Sequence, residues 1–422
     1  MVSMFPSMPS TQAADRHPPD SRFQEEAALR VAELRGHLEE LVACVPAPAR
    51  TASEFQRQTG LDMKLCWKVY RVLKAPDHLS AARYVPGTAN MRTLLGAMSA
   101  LGAPAPLVER VGAASERFER FVGEHAGDRR TFDSMVSGYA EADDGKKIDL
   151  RQRQAAFRAN SHVWGVQADA MVMTMVQRAS ASDPMTLDEV GLRAEYGVRR
   201  LRPSPVPLYE QTFAARDKRG HEYSVGHRRP LCGGHDGVGL IPEFCSRPLP
   251  EVIVRPGPDG RSNAVVMHTE LGMKGAVDLV MGFELCGISP RYRGDETHCW
   301  AIAQVAKPFR VIVIDLLIEE GTLPVPPAPF GFMATRNTAM VAAEELWTTS
   351  RLTESEPVRR LGRGTEVLAT GELPRYDELV RWALERSGCD PRRFEAWRLR
   401  VEYPVVLSSV GLAYEMPYAP GT

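Results

Sequence analysis

The chain carries little net charge, few cysteines and no long apolar run. Its 52 Lys and Arg residues nearly balance its 53 Asp and Glu residues, so no global charge directs the 422-residue chain to nucleic acid or a membrane surface. Seven scattered cysteines are unlike the dense disulfide framework of a small secreted domain and favour reduced thiols. The apolar run Val311 to Ile318 is interrupted by Asp315 and is far shorter than the ~20 residues that span a bilayer. We therefore expect a cytoplasmic protein without a membrane segment.

Common catalytic and cofactor motifs are also missing. The glycine-rich stretch Cys232 to Gly239 lacks the Lys-Ser/Thr pair of a phosphate-binding loop, and no HExxH motif or nucleophile elbow occurs. His298 and Cys299 are adjacent, so on a strand they point to opposite faces and cannot share a proton. We expect no cofactor and no catalysis, although an enzyme of unfamiliar architecture stays open as an alternative.

Four residues of zinc-ligand type lie within nineteen positions of the C-terminal half, namely His227, Cys232, His235 and Cys245. Tetrahedral zinc accepts imidazole and thiolate ligands together. Their spacing, however, matches no common zinc finger, and cysteine is among the residues most often buried as an apolar group. We therefore predict no metal site here.

Patterning divides the chain into a helical N-terminal part and a strand-rich C-terminal part. Residues 1–21 are interpreted as a disordered tail. From 22 to 140 apolar residues recur every three or four positions, which predicts an all-helical bundle with helices at about 22–45, 52–59, 62–74, 90–101, 106–125 and 129–140.

The second half has a different character. The acidic stretch 141–145 predicts a linker that is followed by one connector helix over 147–178, so that residues 141–184 join two domains. From 185 to 422, valine, proline and glycine become frequent and short β-like runs appear. The fold class expected for the whole chain is multi-domain α+β, with a C-terminal domain of mainly antiparallel strands that serves effector sensing or assembly.

The stretch from Thr51 to Lys74 has the spacing of two short helices joined by a tight turn. Gly60 supplies the left-handed conformation that such a turn needs. Thr51 or Ser53 can cap the first helix and Asp62 the second. The positions expected to face inward are Phe55, Leu61, Cys66 and Val69.

Positive charge is concentrated on the second of these helices. Lys64, Lys68 and Arg71 fall at i, i+4 and i+7 and share an outward face. Between Arg50 and Arg83, seven Lys or Arg residues stand against three Asp or Glu residues, a local net charge of +4 in a chain whose total is −1. Such a surface suits a phosphate backbone.

This stretch resembles the helix-turn-helix of bacterial transcription regulators, over about 24 of the 422 residues. The resemblance implies that 54–59 is a supporting helix and 62–74 a recognition helix whose early outward residues read bases in the major groove of double-stranded DNA. The predicted DNA-binding residues are Arg57, Met63, Lys64, Trp67, Lys68, Arg71 and Lys74. No strand hairpin follows Lys74, so an all-helical version is expected. The alternative is a plain helical hairpin with a solvated basic face.

Leu150, Phe157, Trp164 and Met171 recur every seven residues and form a seam on the predicted connector helix. Such a seam could pair two chains through residues 147–178, which would suit the two half-sites that dimeric DNA readers recognise. Packing of the helix on its own domain would produce the same pattern.

Two functions from different classes follow from these features. The first is a homodimeric, DNA-binding transcription regulator whose C-terminal domain senses a ligand or binds a partner. The second is a non-enzymatic structural protein whose sheet domain mediates self-association. Light scattering distinguishes them, because a dimer favours the regulator and a large assembly favours the structural protein.

Overall fold

A computed structural model describes residues 21–137, 142–203, 206–211, 214–216, 222–224, 228–232, 239–256, 262–267, 270–294, 297–335, 350, 352 and 357–420. The predicted tail before residue 21 lies outside this part of the chain. The chain divides into two compact units, residues 1–149 and 150–422. Nowhere in the described part does a helix combine the length and apolar character needed to cross a membrane.

The first unit is helical throughout its described residues. Its helices are α1 (Ser21–Val42), α2 (Ala52–Thr59), α3 (Met63–Lys74), α4 (His78–Ala82), α5 (Thr88–Ala100), α6 (Ala105–Ala126) and α7 (Arg129–Ser137), and α8 (Ala142–Trp164) begins here and continues into the second unit. The long helices α1 and α6 pack on each other around a core that includes Phe23, Leu34 and Phe118. The predicted helices are confirmed to within a few residues, α4 was not predicted, and no strand lies between residues 76 and 90.

The prediction of one connector helix over 147–178 is wrong beyond Trp164. The helix ends at Gly165, whose φ of 68° an L side chain rarely adopts, and Val166–Ala179 is the strand β1. Helix α8 already begins at Ala142, so most of the stretch predicted as an acidic linker is helical. Met171 is a buried strand residue, so the predicted heptad seam does not continue along one helix beyond Trp164.

The second unit contains the strands. They are β1 (Val166–Ala179), β2 (Thr186–Arg200), β3 (Val206–Gln211), β4 (Ala214–Arg216), β5 (Glu222–Ser224), β6 (Arg228–Pro230), β7 (Glu251–Pro256), β8 (Ser262–Met267), β9 (Val277–Pro290), β10 (His298–Gln304), β11 (Phe309–Glu319), β12 (Phe330–Ala334), β13 (Arg359–Arg363), β14 (Phe394–Glu402) and β15 (Ser409–Glu415). Among the described residues of this unit, the α-helix that follows α8 is α9 (Tyr376–Arg386), which lies between β13 and β14. The α+β class is confirmed.

These strands form a central sheet and smaller ones. The central sheet has the order β13-β14-β11-β1-β2-β9-β6, and the others have the orders β10-β15-β12, β3-β8-β7 and β4-β5. In the described part, β1 pairs with β11 in parallel and the remaining ladders are antiparallel, as predicted. Residues of β1 and β11 such as Met171, Ile312 and Ile314 lie in the main core.

Asp315, the carboxylate inside an apolar run, has its partner on the neighbouring strand. In the β11–β14 register Asp315 lies opposite Arg398, whose Nε and Nη2 donate to its two carboxylate oxygens at 2.8 and 2.6 Å. Tyr376 of α9 donates a third hydrogen bond at 2.8 Å. Burial raises the pKa of Asp315, and the Arg398 interactions oppose this shift. The residue is therefore structural.

Candidate nucleic-acid interface

Local capping interactions determine where α2 and α3 begin and end. The Thr51 hydroxyl accepts from the Glu54 N–H at 3.3 Å, and the Glu54 carboxylate accepts from the Thr51 N–H at 3.2 Å, a reciprocal capping box. Gly60 ends α2 at φ 68°, and Asp62 caps α3 by accepting from the Lys64 N–H at 2.8 Å. Three residues thus separate the two helices.

The inward residues pack α3 against α2. Phe55, Leu61, Cys66 and Val69 are all buried, as predicted. The rings of Phe55 and Tyr70 lie 5.9 Å apart, and the Tyr70 hydroxyl donates to the carbonyl of Ala49 at 2.6 Å. Burial raises the pKa of the Cys66 thiol and of the Tyr70 hydroxyl. This side of α3 belongs to the core and is not available to a ligand.

Arg35 of α1 holds the other end of α3. Its guanidinium donates to the carbonyls of Leu73 at 2.8 Å and Ala75 at 3.1 Å, groups that the end of the helix leaves without an intrahelical partner. Helix α3 is therefore bound at both termini and along its inner face, so its outer face is presented on a rigid support.

The predicted DNA-binding residues lie on α3, except Arg57, which is in the last turn of α2. Lys64, Arg71, Lys74 and Arg57 are exposed, and Lys68 is half-buried. The apolar side chains of Met63 and Trp67 are unusually open for their type, at 39% and 49% exposure. In the described helices of the first unit, no hydrogen bond, ion pair or ring contact joins Arg57 or Lys74 to the other predicted residues.

Trp67 and Arg71 form a cluster with Tyr84, and Tyr84 was not among the residues predicted from the sequence. The Arg71 guanidinium lies 4.5 Å from the Tyr84 ring centre and 5.6 Å from that of Trp67, and it donates to the Tyr84 hydroxyl at 2.7 Å. The Trp67 and Tyr84 rings meet edge to face at 5.6 Å. Arg83 stacks on Tyr84 at 5.5 Å, so two guanidiniums share one aromatic ring. The sequence signal that could have indicated Tyr84 is its position directly after Arg83, the last basic residue of the stretch 50–83.

Few carboxylates counter this charge. Burial raises the pKa of Asp133 on α7, whereas the charges of Arg129, Arg83 and Lys68 act to lower it, so this carboxylate lies near the basic surface. Its ion pair is with Arg129, at 3.2 Å. Among the described residues no carboxylate lies within ion-pair distance of Lys64, Lys68 or Arg71. The outward face of α3 therefore keeps its positive charge.

No protein-family model matches the chain, and no curated protein matches it either. One match among solved structures covers 60% of this chain and 41% of a provisionally assigned protease from Parabacteroides distasonis, at 9% identity and a TM-score of 0.26. The chain thus spans less than half of that protein's length. A similarity of this size carries no argument about fold or activity.

The candidate zinc ligands separate into two groups. His227 and His235 lie outside the described residues. Cys245 is buried, and its sulfur accepts from the Val280 N–H at 3.2 Å, so it is engaged within the core. Burial raises the pKa of both Cys232 and Cys245. In the part of the chain that the structure describes, no three metal-ligating side chains come together.

His298 and Cys299 lie on opposite faces of β10, as expected for adjacent strand residues. Cys299 is buried beside Gln177, which donates to its sulfur at 3.1 Å, and burial raises the pKa of this thiol to about 12. His298 instead lies 5.3 Å from the Trp300 ring centre. A buried thiol that stays protonated at neutral pH is not an activated nucleophile.

Proposed function

We propose that the protein binds double-stranded DNA through α2 and α3, with α3 in the major groove, and that it acts as a transcription regulator. The observation that supports this most directly is the outward face of α3, where Lys64, Lys68 and Arg71 surround exposed Met63 and Trp67. A solvated helix face needs charge but not a half-exposed tryptophan.

The dimensions of α3 suit this role. Twelve helical residues extend about 18 Å, and the major groove of B-DNA admits one α-helix. Contacts at Arg35, Tyr70 and the two caps hold α3 in place before any ligand arrives. A pre-organised helix loses less conformational entropy on binding, which favours affinity.

The outward side chains divide into two chemical classes. Lys64, Lys68 and Arg71 suit phosphate oxygens, which contribute affinity irrespective of sequence. Met63 and Trp67 are one helical turn apart and apolar, and the apolar group that DNA offers in the major groove is the C5-methyl of thymine. We assign sequence preference to these two residues, and Arg71 is additionally oriented by Tyr84.

The decisive experiment measures duplex binding by fluorescence anisotropy over a salt series. The variant Lys64→Ala/Lys68→Ala/Arg71→Ala should bind random and genomic duplexes more weakly. The slope of log affinity against log salt concentration should become shallower by up to about three, because each lost phosphate contact reduces the magnitude of that slope by ~0.9. Its fold should be retained, because none of the three side chains lies in the core, and the loss of the Arg71 contacts with Tyr84 should lower its thermal stability only modestly.

A charge-matched variant provides the control. Arg22→Ala/Arg92→Ala/Arg120→Ala removes three exposed positive charges from α1, α5 and α6. If DNA contacts α3, this control keeps the wild-type salt slope. Equal weakening by both variants would mean that only net charge matters, and a wild-type protein that binds no duplex at low salt would refute the proposal.

A further inference from the structure

A cationic pocket of about 310 Å³ lies in the second unit, where α8 ends. Arg158, His162, Gln167 and Arg202 supply its hydrogen-bonding side chains, and Phe157 and Leu201 supply apolar surface. Arg158, His162 and Arg202 are exposed, and the lining contains no carboxylate. This pocket lies outside the helical unit to which DNA binding is assigned.

The fold brings these residues together from three segments. Arg158 and His162 are one turn apart and share a face of α8. The carbonyl of Gly165, at the end of the helix, accepts from the backbone N–H of Leu201 at 2.7 Å and of Arg202 at 3.2 Å. A Cβ at Gly165 would lie 2.9 Å from that of Arg202, so the glycine permits this close approach. Arg202 is thereby placed beside His162.

Within the described part of the chain, no carboxylate neutralises the arginines of the pocket. Arg202 Nη2 lies 3.2 Å from His162 Nε2, and because a guanidinium only donates, this imidazole nitrogen accepts. Among the described residues neither Arg158 nor Arg202 pairs with a carboxylate. The nearby carboxylate of Asp169 is instead bound by both Nη atoms of Arg199, at 2.7 and 2.9 Å.

Gln167 also lines the pocket, and when its side-chain oxygen faces Arg199 it accepts from Nε at 3.0 Å and Nη2 at 2.7 Å. The pocket thus presents the two guanidiniums of Arg158 and Arg202 around a concave surface. A group with several acceptor oxygens and more than one negative charge matches this set, since a single carboxylate would leave net positive charge.

We propose that this pocket binds a small organic phosphate monoester. Its phosphate, which carries about −1.5 to −2 at neutral pH, lies between Arg158 and Arg202. Its organic part lies against Phe157 and Leu201. Phe157 is itself held in place by Tyr403, with the ring centres 5.4 Å apart. The second unit is then a sensor of a phosphorylated small molecule.

Isothermal titration calorimetry of the full chain with phenyl phosphate tests this proposal. Inorganic phosphate, which lacks the apolar part, and benzoate, which carries one charge, should both bind more weakly than phenyl phosphate. Arg158→Gln and Arg202→Gln should each weaken phenyl phosphate binding about tenfold, because each removes a charge-assisted contact. Arg359→Gln, which removes an exposed arginine of β13, should have no effect.

Several results would overturn the proposal. These are the absence of saturable binding up to about 10 mM phenyl phosphate, unchanged affinity in both Gln variants, or benzoate binding as tight as that of phenyl phosphate. Displacement of phenyl phosphate by duplex DNA would instead make the pocket part of a nucleic-acid surface. Should a Gln variant unfold, Arg202→Lys keeps the charge but not the planar fork, and it should bind with intermediate affinity.

Discussion

Arg398 neutralises the fully buried carboxylate of Asp315, and its replacement by methionine should destabilise the second unit strongly. The change keeps an unbranched aliphatic stem and removes both donors to Asp315, at 2.8 and 2.6 Å. Of its hydrogen bonds to described residues, Asp315 would retain the one from the hydroxyl of Tyr376, at 2.8 Å. The carbonyl of Leu368 would also lose the Nη2 donor at 2.8 Å.

The expected magnitude follows from burial. Asp315 has no exposed side-chain surface, and Arg398 is 11% exposed. Removing one partner of a buried pair costs about 3–5 kcal/mol, because the remaining charge is left without compensation. At about 2–4 °C per kcal/mol for a domain of this size, Tm should fall by roughly 10 °C. The double change Asp315→Leu/Arg398→Met removes both charges and should cost considerably less.

The loss of stability in Arg398→Met should also depend on pH. Burial raises the pKa of Asp315, and in Arg398→Met no guanidinium opposes that shift. The folded variant then holds a proton at pH values where the unfolded chain, with an ordinary pKa of 3.8, has lost it. Its stability is highest below that unfolded pKa and declines as pH rises through the folded value. The deficit relative to wild type should therefore shrink towards acid.

Urea unfolding followed by circular dichroism, between about pH 8 and pH 5, measures both effects. Arg400→Met is the matched control on the same strand. Arg400 is 42% exposed and pairs at the surface with Glu372 and Glu402, so its loss should cost about 0–1 kcal/mol. If Arg398→Met costs no more than Arg400→Met, or if its deficit does not change with pH, the Asp315 carboxylate is not held as described.

Three further predictions concern the helical unit. Gly60→Ala should lower the free energy of unfolding in urea by about 1 kcal/mol, because φ is 68° there, even though an added Cβ would meet no atom. Gly36→Ala, inside α1, should raise the free energy of unfolding. If both variants changed stability in the same direction, the left-handed turn at Gly60 would be contradicted. Hydrogen bonds from the N–H groups of Arg50 and Thr51 lower the pKa of Glu54 below 4.5 in the folded protein. The free energy of unfolding that this carboxylate contributes is therefore present above pH 4.5 and is lost as pH falls through the lower folded pKa. Glu54→Gln should reduce the loss of stability at acid pH, and an unchanged loss would exclude Glu54 as its source. In duplexes selected by the protein, thymine-to-uracil replacement should weaken wild-type binding but not that of Trp67→Ala; an equal response would exclude thymine-methyl contact by Trp67.

The elements of the helical unit were predictable because their signals are local. The capping pair Thr51 and Glu54, the turn residue Gly60 and the cap Asp62 act within a few positions, so the predicted bounds of α2 and α3 agree closely with the structure. Tyr84 was missed for the opposite reason. Its contact with Arg71 depends on how α4 returns the chain beside α3, a tertiary arrangement that periodicity within a helix does not encode.

The error at residues 166–178 has a related cause. β1 lies at the centre of its sheet between β2 and β11, so both of its faces are largely covered, and from Ala170 to Val176 its residues are apolar except for Thr174. A nearly continuous apolar run is compatible with a buried helix as well as with a buried strand. Gly165 was the local signal for a break, because a left-handed residue ends a helix. The same glycine accepts hydrogen bonds from the backbone of Leu201 and Arg202, so the break that the heptad pattern concealed also brings the end of α8 beside Arg202, where the pocket lies.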